Sequence, residues 1–222
     1  NCTYISENIQ WGCPNFQRKL QIHSSMINTI KTFFTILTIL FSISSYSQKP
    51  KLKVGKKAPL FELQTSKESQ FELNKILKSG KKVVLVFYQG SWNPYDVKYL
   101  KKLQAAKDEI ESKNGVLVFV TREKFSYINK LKTKENIDLL FCNDADWYVM
   151  SMYGLAYKLS KGNLPTKFKF YSYANATHTG SKDDMVPIPA TFVIGLDQKI
   201  IYMHYDSDYR QHPEVSEIIN SL

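Results

Sequence analysis

The run Val83-Val84-Leu85-Val86-Phe87-Tyr88 constrains this chain more than any other segment. It is continuously apolar and rich in β-branched residues, the pattern of a strand buried on both faces. Gly90-Ser91-Trp92-Asn93-Pro94 breaks it. Over residues 95–113, Val97, Leu100, Leu103 and Ile110 then share one side while lysines crowd the other. That spacing predicts an amphipathic helix closed by Asn114-Gly115, and residues 116–120 form a second buried strand. Two buried strands joined through a helix pair in parallel, so both faces of their sheet need cover.

The rest of the chain supplies that cover. Residues 59–63 and 70–73 predict a short hairpin, and 74–79 a turn or two of helix. Helices follow at 123–133 and 146–153, with a short strand at 138–141 between them. Residues 190–194 and 199–204 flank the turn Gly195-Leu196-Asp197-Gln198 and predict an antiparallel pair, and residues 213–222 a closing helix. Residues 155–185, rich in Lys, Tyr, Asn, Ser and Thr, read as a long excursion with little regular structure. The class is α/β, a sandwich with a central mixed β-sheet flanked by helices.

Composition narrows the class of chain. Hydrophobic residues make up 43%, with 9 Gly and 8 Pro, which excludes a collagen-like or disordered polymer. Three cysteines in 222 residues exclude a disulfide-dense scaffold. The net charge of +10 permits an acidic partner. Its lysines, however, are spread along the helices (Lys98, Lys101, Lys102 and Lys107; Lys124, Lys130, Lys132 and Lys134), as solvated faces are. The densest cluster is Lys49, Lys51, Lys53, Lys56 and Lys57, and no groove-reading or stacking module accompanies it, so nucleic acid is not an expected partner.

The first methionine is Met26. One lysine, an apolar stretch interrupted only by Thr and Ser, and small residues at Ser45 and Ser47 predict a secretory signal peptide over 26–47. Cleavage after Ser47 leaves Gln48 first, and implies a secreted or periplasmic protein with no stable membrane insertion. The apolar stretch is shorter than the roughly 18–20 residues that span a bilayer, although a retained anchor is the alternative. Residues 1–25 read as an upstream extension outside the fold, 48–57 as a basic leader, and 58–222 as one domain. Cys2 and Cys13 then drop out, and the mature chain carries Cys142 alone.

Five local patterns now converge. Val54-Gly55-Lys56-Lys57-Ala58-Pro59-Leu60-Phe61-Glu62-Leu63 resembles the "vGxxAPxFxL" opening of peroxiredoxins, and VVLVFYQGSWNPYDVKYL, residues 83–100, is similar to "VVLvFYRGxWCPYCnxxL". Asn143-Asp144-Ala145-Asp146 with Tyr153-Gly154-Leu155, Pro187-Ile188-Pro189-Ala190-Thr191-Phe192-Val193-Ile194, and Asp206-Ser207-Asp208-Tyr209-Arg210 resemble later segments of the same family in the same order. Over residues 52–222 the chain thus resembles the peroxiredoxin-like AhpC/TSA (redoxin) family of the thioredoxin superfamily. The resemblance implies a thioredoxin-like three-layer sandwich and a thiol-dependent antioxidant oxidoreductase that reduces peroxides or disulfides without a cofactor.

Under it, Asn93-Pro94-Tyr95-Asp96 occupies the place of Cys-Pro-Tyr-Cys. A cysteine at a helix N-terminus meets free backbone amides and the positive end of the helix dipole, so its thiolate is favoured. Asn93 and Asp96 offer no sulfur. They remain good helix starters, with Asn as N-cap, Pro at the first helical position and a carboxylate in the first turn. The expectation is a frame kept and a redox chemistry lost.

Three further readings follow. Cys142 is the residual thiol candidate. It falls at a strand end near Asp144 and Asp146, whose charge opposes a thiolate, so a structural cysteine is favoured over a thiol enzyme or an intermolecular disulfide. Asp96 could serve as a base or metal ligand with His178 or His204, although none of the four histidines has a ligand spacing. Trp92, Pro94 and Tyr95, with Pro189 facing them, would line an aromatic groove for an extended peptide or protein ligand, or else only pack the loop; Pro189 holds the place where the family usually has a cis proline. Homodimer formation stays open, and Asn175-Ala176-Thr177 fits a glycosylation triplet.

Overall fold

The computed structural model describes residues 52–159 and 166–222. The upstream extension, the signal peptide and the first four residues of the leader lie outside them. The described part belongs to one compact unit, Lys49–Leu222.

The hairpin opens it as β1 (Glu62–Gln64) and β2 (Gln70–Glu72), followed by α1 (Leu73–Lys78). The constraining apolar run is β3 (Lys82–Phe87), buried from Val83 onward. The amphipathic stretch divides into α2 (Pro94–Ala105) and α3 (Lys107–Ser112). Ala106, at φ −96° and ψ 1°, ends one and starts the other, where the sequence predicts a single helix. There follow β4 (Gly115–Thr121), α4 (Phe125–Glu135), β5 (Leu140–Asn143) and α5 (Tyr148–Met152).

The stretch expected to lack regular structure holds β6 (Ala156–Lys158), α6 (Thr166–Thr179) and β7 (Met185–Pro187), with β6 and β7 antiparallel. Periodicity missed α6 because no clean apolar stripe runs along it. Phe170 and Tyr173 are exposed while Ala174 and Asn175 are buried. Its anchors are single side chains reaching distant loops. β8 (Ala190–Ile194), β9 (Ile200–Tyr205) and α7 (Val215–Ser221) close the chain.

The main sheet has the order β5-β4-β3-β8-β9, with β3, β4 and β5 parallel and β8 and β9 antiparallel. Alternation along β3 splits the core. Val83, Leu85 and Phe87 join Phe71, Leu73, Val149, Tyr153 and Phe192 on the face covered by the hairpin, α1 and α5. Val84, Val86 and Tyr88 join Leu100, Leu103, Ile110, Ile128 and Ile218 on the face covered by α2, α3, α4 and α7. This is the expected three-layer sandwich.

Part of the leader belongs to the fold. The Gly55 amide donates to the Ile200 carbonyl (2.8 Å), and the Ile200 amide donates to the Lys56 carbonyl (2.9 Å). These bonds extend the pairing at the outer edge of β9 and carry the domain several residues upstream of 58.

Candidate functional site

The loop from β3 to α2 places the motif residues at the C-terminal end of the central strand β3. Asn93 caps α2, its Oδ1 accepting the Tyr95 amide at 3.0 Å, and Pro94 takes the first turn as expected. Asn93 is fully buried, and its Nδ2 donates to Gln89 Oε1 (3.2 Å). Gln89 Nε2 reaches on to the Pro187 carbonyl (3.5 Å). Gly90, at φ +154°, is needed because a Cβ there would lie 2.6 Å from Trp92 Nε1.

Asp96 is 1% exposed, and its Oδ2 accepts the Gln89 amide at 2.8 Å. Burial raises its carboxyl above the ordinary range, against the pull of His212 and of the backbone amides of Gln89 and Gly90. His212 Nε2 lies 3.4 Å from Asp96 Oδ1, and its ring stacks on Tyr99 at 4.4 Å. The histidine beside Asp96 is therefore His212, not His178 or His204. His204 sits on β9, and burial lowers its pKa.

His178 serves a second carboxylate, Glu123, which sequence reasoning passed over. Glu123 is fully buried just after β4 and accepts from the Ser91 amide (3.0 Å), the Ser91 hydroxyl and His178 Nδ1 (2.5 Å). This knot ties the site loop to the C-terminal end of α6. Nearby Arg122, 4% exposed, forks onto Asp183 at 2.7 and 2.8 Å and donates to the Ala145 and Met185 carbonyls. Spacing could not reveal these pairs, because their members come from separate segments.

Aromatic rings cover the outside. Trp92 packs on Tyr171 of α6 at 5.4 Å, Tyr171 on Tyr209 at 5.4 Å, and Tyr209 on Tyr95 at 5.9 Å; the hydroxyls of Tyr171 and Tyr209 are 3.0 Å apart. Pro94 and Tyr95 are exposed. Pro189 differs from the expectation: it is buried, and no described peptide bond is cis, so it offers no accessible groove wall. The hydrogen-bonded link to that segment runs instead through Gln89 to Pro187.

Cys142 is fully buried on β5, within the core face that α2 does not touch. Burial, rather than Asp144 and Asp146, pushes its thiol up to about 12. The helix α2 and Cys142 thus lie on opposite faces of the sheet. Asn175 of the glycosylation triplet is 1% exposed and bonds the Met185 carbonyl. Among the described residues no three His, Cys, Asp or Glu side chains gather as a metal site would need.

Known proteins match this frame. The family model described as "AhpC/TSA family" covers residues 54–203. A bcp peroxiredoxin of Coxiella burnetii is 25% identical over 118 residues, 53% of this chain and 76% of that protein. One of Helicobacter pylori is 32% identical over 103 residues, 46% of this chain and 66% of that protein. Among solved structures, the peroxidoxin BcpB of Mycobacterium tuberculosis superposes with a TM-score of 0.58 at 18% identity, over 77% of this chain and 96% of its own. PrxQ of Xylella fastidiosa gives 0.59 at 14%, over 76% and 94%. At such identities the superpositions speak for the fold.

Proposed function

This chain belongs to the AhpC/TSA family of peroxiredoxin-like thiol peroxidases, and from that premise we propose that it is a redox-inactive, secreted member that keeps the family's groove for binding a peptide or protein. The observation that carries the proposal is the start of α2. Asn93 and Asp96 fill the positions that resemble the family's cysteine pair, both buried and hydrogen-bonded, and neither can form or exchange a disulfide. The family reaction needs an accessible thiolate. Cys142 is enclosed in the opposite core with its thiol held protonated. What the loop still presents outward is Pro94, Tyr95 and the partly exposed Trp92, a surface suited to an extended chain.

A peroxide-consumption assay with a dithiol reductant, run on the full chain with and without Cys142→Ser, tests the loss of activity. The expected result is no Cys142-dependent turnover. Turnover that disappears in the Ser variant overturns the proposal in favour of a thiol enzyme working through Cys142. Secretion is supported by the signal-like segment after Met26. Its check is the N-terminus of the exported protein, expected at Gln48; a full-length product retained in the cytoplasm contradicts it.

A further inference from the structure

Beside the site loop, a cleft of about 350 Å³ opens between α2 and α4. Trp92, Pro94 and Val97 form an apolar wall, and Ser91, Lys98, Lys101 and Lys134 line the remainder. The charge here is unbalanced. Lys101 and Lys134 share one carboxylate, Glu135, and Lys98 makes no ion pair among the described residues. The carboxylates nearest the loop do not offset the excess at the surface: Asp96 and Glu123 are both buried, the one facing His212 and the other held by His178 and Ser91. Three ammonium groups against the one partly buried carboxylate of Glu135 make a locally cationic rim on an aromatic wall.

We propose that this cleft takes an acidic extended peptide, one acidic side chain meeting Lys98 and Lys134 while a neighbouring apolar or aromatic side chain lies on Trp92 and Pro94. The assignment rests on the reading of the loop as a binding groove and adds the chemistry of its occupant. The volume is at the small end of ligand pockets, roughly 300–1,000 Å³, which suits one or two anchoring side chains of a longer segment. Exposed lysines contribute long-range attraction that salt screens, so association should weaken with ionic strength.

The test is fluorescence anisotropy of the full chain with three labelled decapeptides in which tyrosine alternates with glutamate, glutamine or lysine. The glutamate peptide should bind saturably, at least tenfold tighter than the glutamine one, and the lysine peptide should not bind. Lys98→Glu with Lys134→Glu, both on the surface, should abolish that preference while the melting temperature holds. Equal binding of all three peptides, lost on Tyr95→Ala, overturns the acidic specificity and leaves the groove standing. Binding of none overturns both. Full displacement of the glutamate peptide by inorganic phosphate at matched ionic strength, or tighter binding of a single-stranded oligonucleotide, overturns the assignment to a peptide.

Discussion

At the start of α2 a helix N-terminus, the Gln89 amide and the His212 ring converge on two side chains that hold no sulfur. At Cys142, across the sheet from α2, a sulfur is fully buried in the core cluster that also holds Phe71, Leu85 and Val120, and that burial disfavours its anion. The first region has the electrostatics of thiol chemistry without the atom, and the second the atom without the electrostatics. On the proposal of a redox-inactive member, the contrast separates the family's frame from its chemistry. Asn93 preserves the cap and Asp96 the first-turn charge, so the helix forms without any need of reactivity.

Restoring the sulfur gives the largest test of that contrast. In Asn93→Cys with Asp96→Cys, the cysteine at 93 should have a pKa below the ordinary value of about 8.5. At neutral pH it should then react with a thiol-trapping disulfide on the order of a thousandfold faster than Cys142, whose thiol sits near 12. Mass-resolved labelling distinguishes the two. Equal rates would falsify the placement of position 93 at an activating helix terminus.

Next in size is Glu123→Ala. It leaves the Ser91 amide, the Ser91 hydroxyl and His178 without their shared acceptor. The expected loss is about 2–3 kcal/mol in denaturant unfolding. A change under about 0.5 kcal/mol would mean that the knot does not hold the loop.

On the other face, Cys142→Ser puts a hydroxyl into the apolar cluster, with the buried Thr65 as the polar residue bridged to it, and should cost about 1–2 kcal/mol. A stabilised Ser variant would point to an unrecognised polar partner there and weaken the contrast.

The smallest effect is one of pH. Burial raises Asp96, so the folded chain holds its proton from near the unfolded value of about 3.9 upward. Wild-type stability therefore falls as pH rises through that window, because the unfolded state gives up the proton first. Asp96→Asn lacks this titration. Melting temperatures measured from about pH 4 to pH 7 should shift progressively in favour of the variant, and a constant difference would mean that Asp96 is not raised.

Much of the fold was legible because its strongest elements are local. The β3 run, the Asn93-Pro94 cap and the β8–β9 turn each carry their signal within a few residues. Asn93 and Asp96 are pointed out by the family resemblance, and the cap and first-turn positions they take on α2 fit a helix start. His212, Glu123, Tyr171 and Tyr209 could not be placed, since each reaches the loop from another segment and nothing local marks it. α6 escaped for the same reason: Tyr171 on Trp92 and His178 on Glu123 hold a sequence with many weak helix formers. Pro189 differs in the other direction: its place in the motif suggests a groove wall, and the residue is buried.

The backbone bonds between residues 55–56 and Ile200 set a floor for how far the N-terminus can be shortened. Ala58, 1% exposed, follows directly and plugs the core, with the Gln198 carbonyl accepting its amide at 2.9 Å. A protease that stops upstream of Lys53 leaves this seam intact. One that cuts beyond Lys56 strips the outer edge of β9 and uncovers a strand end able to pair with another chain. The fold thus sets how far any trimming of the N-terminus could go before that edge is lost.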